Sequence, residues 1–83
     1  MKDFVKFCEE KIIEHYKNKL KIEITSEDVF PVWQCKTLEH KKAIFSVFKE
    51  KRRFIEITLD GNKEVAYMDI YSKVDNRQYK YNE

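Results

Sequence analysis

The chain has one glycine and one proline in 83 residues. Long flexible loops and glycine-rich phosphate cradles are therefore excluded, because both need residues that tolerate unusual backbone angles. Cysteine is scarce too: Cys8 and Cys35 allow one disulfide at most, not a disulfide framework. No apolar run approaches the roughly 18 residues that a spanning helix needs. At the start, Lys2 and Asp3 precede only a short apolar cluster broken by Lys6 and Glu9, which is not a secretory signal. An excess of one charge sign is also missing. Charged residues make up 39% of the chain, yet the net charge is only +2, which suits solubility better than strong attraction to a polyanion. These absences lead us to expect a soluble cytoplasmic protein with no membrane attachment.

What is present suffices for one core. The apolar fraction is 42%, with Phe 6, Tyr 5 and Trp 1, so residues 1–83 read as one small domain. The clearest stretch runs from Arg52 to Ser72. Ile55, Ile57 and Leu59 alternate with Phe54, Glu56 and Thr58, and Ala66, Met68 and Ile70 alternate with Val65, Tyr67 and Asp69. Period two predicts two strands, with Asp60-Gly61-Asn62-Lys63 as the turn. A two-residue loop at Gly61-Asn62 places Ile57 opposite Ala66 and Ile55 opposite Met68 on an apolar face. The reverse face then pairs Glu56 with Tyr67 and Thr58 with Val65; it is mixed and suited to solvent or a partner.

Upstream, Phe4, Val5, Cys8, Ile12, Tyr16 and Leu20 recur at spacings of three and four, one stripe of a helix over about 3–19. Asp3 is a suitable N-cap, and Glu9, Glu10, Lys11 and Glu14 fill the wet side. Ile22 and Ile24 anchor a short strand or an extended linker, and Ser26-Glu27-Asp28 reads as a turn. Pro31 cannot donate a ladder hydrogen bond and belongs at a strand start or sheet edge. The next strand spans 30–37, with Val32, Gln34 and Lys36 on one face and Trp33, Cys35 and Thr37 on the other. Trp33 reads first as a core or core-edge anchor and second as a platform for a partner. Cys35 reads as buried and inert. Cys8, His15, Cys35 and His40 fit no compact metal-ligand spacing, and Cys35 with His40 lacks a third orienting group for catalysis. We expect no metal, no cofactor, no small-molecule ligand and no enzyme activity.

Lys42–Phe48 is rich in strand formers and reads as a strand, with a helix over 39–49 as the competing reading. Lys49, Lys51, Arg52 and Arg53 follow. By itself this basic run is a solvated turn, and it is also the best local candidate for phosphate contact. After Ser72 the alternation stops, and the tyrosine-bearing tail adds an edge segment or frays.

From Asp28 onward the chain resembles a family of small phage and prophage proteins of unknown function. Val29, Val32, Trp33, Cys35, Lys36, Thr37, Leu38, Lys42 and Ala43 carry the first matching segment. Gly61 and Lys63 carry the turn, and Tyr67, Asp69, Tyr71 and Lys73 the last strand. Two departures stand out: Lys49–Arg53 is more basic, and the turn permutes the family's Asn-Gly-Asp-Lys order. The resemblance implies a phage or prophage origin and brings no catalytic or ligand residues with it.

The expected fold is α+β: an N-terminal helix on an antiparallel meander of three or four strands, near 30–37, 42–48, 53–59 and 64–72. The expected function is a protein-binding module, acting on a host protein or on a second copy as a homodimer, with Trp33, Tyr67 and Tyr71 as the contact residues. The alternative is nucleic-acid binding, with Lys49, Lys51, Arg52 and Arg53 on phosphates and aromatic rings on bases.

Overall fold

The structure is a computed structural model that describes residues 2–48, 50–72 and 74–81, without the side chains of residues 2 and 50–52. Helix α1 spans Lys2–His15. Four strands follow: β1 Val29–Thr37, β2 His40–Val47, β3 Glu50–Asp60 and β4 Val65–Ser72. They form one antiparallel sheet in the order β1-β2-β3-β4. The fold is thus a helix packed on a four-stranded meander, and residues 40–47 are strand, not helix.

The helix forms because its apolar residues repeat every four positions. Phe4, Cys8, Ile12 and Tyr16 are all buried, and they join Ala43, Phe45, Val47, Ile55, Ile57, Val29 and Ile24 in one core. Val5, Ile13 and Leu20 widen the stripe. The opposite side is wet and carries a Lys11–Glu14 pair at 3.9 Å. Beyond His15 the helix widens into one π turn, Tyr16–Leu20, closed by Lys21 in the left-handed region at φ 58°. The Tyr16 carbonyl accepts the Ile22 N–H at 3.0 Å as well as the Lys21 N–H. Residues 22–25 form a linker and not a strand. Ile24 anchors it in the core, and Asp28 Oδ2 accepts the Thr25 N–H at 2.9 Å to close the turn into β1.

Two expectations about register need correction. The β3–β4 loop has four residues, not two: Asp60 pairs with Val65, Leu59 with Ala66, Ile57 with Met68 and Ile55 with Ile70. The cause is local. Asp60 Oδ1 accepts the N–H groups of Asn62 (3.1 Å) and Lys63 (3.2 Å), and Glu64 takes φ 56° to re-enter the ladder. The slip is two residues, an even number, so every side chain keeps its face. The second correction has the opposite effect. A bulge between Pro31 and Trp33 adds one residue to β1. Val29 and Pro31 pair with Val47 and Phe45 on the helix side, but beyond the bulge Trp33 pairs with Ile44 and Cys35 with Lys42. One extra residue reverses the alternation, so Trp33 and Cys35 point away from the helix. Neither is in the core, and Trp33 is 49% exposed. Cys8, on the sheet-facing side of α1, is 0% exposed, and both cysteines are free.

The single glycine is not used for a positive φ. Lys21, Leu38 and Glu64 hold those positions instead. Gly61 sits against the β1–β2 turn: a Cβ there would overlap the Glu39 carbonyl oxygen, with the Glu39 carbonyl carbon at 2.7 Å and its Cβ at 2.8 Å. The two hairpin turns at this end of the sheet therefore touch, and the Gly61 N–H donates to His40 Nδ1 at 3.3 Å.

Four outcomes test this architecture. Ile57 is 1% exposed in the core centre, so Ile57→Ala is expected to lower stability by about 2–5 kcal/mol in denaturant titration. A loss below about 1 kcal/mol would place Ile57 outside the core.

Gly61→Ala is expected to cost about 1–3 kcal/mol through the overlap with Glu39. Leu38→Gly is expected to leave stability unchanged or raise it by up to about 1 kcal/mol. Its side chain is 78% exposed, so little packing is lost, and its left-handed φ of 55° is relieved. In thermal melts the Gly61→Ala midpoint should fall, whereas the Leu38→Gly midpoint should stay or rise.

Burial, followed by the charge of Glu9, pushes the Cys8 thiol from the ordinary 9.0 up to about 12. A raised acid pKa favours the neutral folded form, so its contribution to stability is complete below pH 9.0 and is lost as pH rises towards about 12. In the native protein at neutral pH a thiol reagent is expected to modify Cys35 alone, reaching Cys8 only after unfolding. Rapid labelling of both thiols in the folded protein would contradict this placement.

Candidate functional site

Among the described residues no helix covers the sheet face turned away from α1, and β-strand alternation decides what it presents. Register places Trp33, Ile44, Glu56 and Asp69 in one cross-strand row. The next row towards the hairpin turns holds Cys35, Lys42, Thr58 and Tyr67, and on the other side Phe54 pairs with Tyr71. Tyr67 and Tyr71 are each 52% exposed. Trp33, Tyr67 and Tyr71 therefore share this face but sit on its two outer strands. Ile44, Glu56, Lys42, Thr58 and Phe54 fill the ground between them.

A shallow depression of about 370 Å³ lies among Val32, Ile44, Phe54, Glu56 and Tyr71. Three of these residues, Val32, Ile44 and Phe54, carried no expectation of a binding role. Their signal was parity alone: each lies on the face opposite the helix, Val32 by plain alternation from the buried Val29. Phe30 and Phe48 extend the aromatic surface towards the far end, with ring centres 4.9 Å apart and planes tilted by 45°.

The polar centre of the face is Glu56. Lys42 Nζ lies 3.9 Å from its Oε1, and the Tyr71 hydroxyl donates to the same oxygen at 3.5 Å. The Glu56 charge, helped by burial and by Asp69, raises the Tyr71 phenol above its ordinary 10.0. Tyr71 is thus a neutral hydrogen-bonding ring at physiological pH. At this centre the face offers apolar area with one paired cation, one shared carboxylate and the neighbouring Asp69 carboxylate, so a partner that covers it is expected to bring a donor or cation to Asp69.

A second depression, about 230 Å³, is lined by Trp33, Cys35, Thr37, His40, Lys41, Lys42 and Thr58. Its chemistry is muted. The Cys35 sulfur has Thr37 Oγ1 at 3.8 Å. The His40 ring is engaged at the turns: Nδ1 takes the Gly61 N–H and lies 3.7 Å from Asp60 Oδ1, and Nε2 lies 3.8 Å from Glu39 Oε1. Base and thiol are not joined as a nucleophile pair would be. Among the described residues no group of three or more His, Cys, Asp and Glu is placed to hold a metal ion.

The basic run divides differently. Lys49 and the side chains of Lys51 and Arg52 lie outside the described residues. Arg53 is half-buried, pairs with Ser72, and shares the alternation of Ile55 and Ile57. It therefore belongs to the helix side of the sheet, opposite to Trp33, Tyr67 and Tyr71. Among the described residues no helix is long and apolar enough to cross a membrane.

No curated protein and no solved structure matches this chain. The model of DUF6275, a family of unknown function, matches residues 5–81, and the chain belongs to that family.

Proposed function

We propose that this protein is a protein-binding module of phage or prophage type that acts in the host cytoplasm and docks a host protein on its open sheet face. The observation that carries the reading is the composition of that face. Trp33, Val32, Ile44, Phe54, Tyr67 and Tyr71 form one surface around the Glu56–Lys42 pair. Trp and Tyr are the residues in which binding energy concentrates, because they bury large area at little rotamer cost and keep a polar handle. The face is broad and shallow, so it fits a flat apolar patch on a folded partner better than a peptide, which needs a groove. The resemblance of the Trp33 and Tyr67–Tyr71 segments to phage proteins supports the setting.

Nucleic-acid binding is the weaker reading. Single-strand binders place cations beside stacking rings, whereas Arg53 lies on the face opposite the aromatic surface. The net charge of +2 adds little attraction.

The test compares variants in capture from host lysate followed by affinity measurement with the captured protein. Trp33→Ala and Tyr71→Ala are each expected to weaken binding roughly 30-fold or more, the size of a hot-spot loss. Lys51→Ala with Arg52→Ala is expected to leave binding within about threefold. Capture indifferent to the face variants would overturn the reading. So would low-micromolar oligonucleotide binding that persists at about 0.15 M salt and disappears in the double variant.

A further inference from the structure

The two edges of the sheet are built differently. β1 is protected against pairing with another strand: Pro31 lacks an N–H, the bulge between Pro31 and Trp33 breaks the ladder, and Lys36 adds a charge. β4 has none of these devices. Its sequence, VAYMDIYS, contains no proline, glycine, lysine or arginine, and its only charge is Asp69. It pairs with β3 from Asp60–Val65 to Arg53–Ser72 without a register shift, so it presents a straight edge about 26 Å long. Both of its faces are apolar, with Ala66, Met68 and Ile70 on the helix side and Val65, Tyr67 and Tyr71 on the open side. Such a strand reads as an interior strand.

The helix side of β4 is also incomplete. Ala66 and Met68 are only half-buried, and Ile70 is exposed. A groove of about 210 Å³ between helix and strand is lined by Phe7, Lys11, Ile57, Ala66, Tyr67 and Met68.

We infer that β4 is the contact strand of a homodimer, pairing antiparallel with β4 of a second copy about a two-fold axis perpendicular to the sheet at Met68. This axis keeps both helices on one side. The register follows from charge and overlap. An axis at Asp69 would set two carboxylates directly opposite each other, and an axis at Ile70 would pair only residues 68–72. With Met68 on the axis, residues 65–71 all pair. Asp69 then faces Tyr67 of the partner subunit, whose hydroxyl is a suitable donor. Met68 meets its own counterpart, and Ala66 meets Ile70 of the partner subunit. The half-covered row becomes continuous, and the two grooves merge between the two helices. The result is an eight-stranded sheet with the open face of both copies still free.

Sedimentation of the full chain at up to about 100 µM is expected to show a dimer, in the range where edge contacts of modest area associate. Ile70→Lys sets a charge towards the junction and is expected to weaken association at least tenfold, while Trp33→Ala leaves it intact. Should Ile70→Lys fail to fold, cross-linking decides. In a Cys35→Ser background, Met68→Cys is expected to form a disulfide-linked dimer under mild oxidation, because opposed residues bring Cα atoms within about 4.5–5.5 Å. Asp69→Cys, displaced from its counterpart by two positions, should link much more slowly. A monomer at about 100 µM with no linkage at either position would overturn the inference. So would a dimer lost in Trp33→Ala, or faster linkage through Asp69→Cys.

Discussion

The packing of Phe4, Cys8, Ile12 and Tyr16 onto Ala43, Phe45, Ile55 and Ile57 is the contact on which the other features rest. It joins one helix to the two central strands, and its reach is limited by the width of a helix. A helix is about 10 Å across, whereas the axes of the outer strands of a four-stranded sheet stand about 14 Å apart. Burial follows this geometry. Ala43, Phe45 and Val47 on β2 and Ile55 and Ile57 on β3 are closed off, while Ala66 and Met68 on β4 are half-covered and Ile70 is exposed. The other face of the sheet has no cover among the described residues. The apolar surface available for partners is thus what one short helix cannot reach.

The scarcity of glycine shapes the connections. Among the described residues three non-glycine positions hold a positive φ, and lysine, leucine and glutamate occupy them. Each such residue carries a backbone cost of roughly 1–2 kcal/mol, tolerated because the helix end and both turns are held by surrounding hydrogen bonds. The glycine itself serves close approach, where a side chain of any size would push the two hairpin turns apart. A glycine in a turn is usually read as a conformational signal. Here it is a steric one.

Much of the architecture was legible because periodicity reports local structure. The four-residue repeat of the helix and the alternation at Phe54–Leu59 and Val65–Ile70 identified those elements and their faces, Tyr67 on the open face among them. What escaped was how strands are offset. The extra two residues at the β3–β4 turn changed partners and left faces alone, since Asp60 closes the loop further along than Gly61 suggested. The single extra residue near Pro31 changed faces. It moved Trp33 and Cys35 from an expected interior to the surface and set Trp33, next to Val32, opposite Ile44. Nothing in the residue types from Val29 to Thr37 distinguishes a straight strand from a bulged one, apart from a proline compatible with either. The open face as a continuous surface was therefore hidden, although its separate residues were visible.

The contact between Gly61 and Glu39 bears on how the chain finds its alignment. In an alternating sequence, sliding β3 against β2 by two residues preserves inside and outside, so burial alone distinguishes the shifted sheets only weakly. Each hairpin closes locally and early, because its strands are neighbours in sequence. The β2–β3 hairpin is as local as the other two, but the register shift between Phe45 and Val47 loosens the hold of its turn on the offset further along. Only the native offset brings the one residue without a side chain against the Glu39 carbonyl and its N–H to His40. A slip would put a bulkier neighbour there and leave that donor elsewhere. The close approach at the turns thus acts as a gauge of alignment, rejecting errors that the hydrophobic pattern would accept.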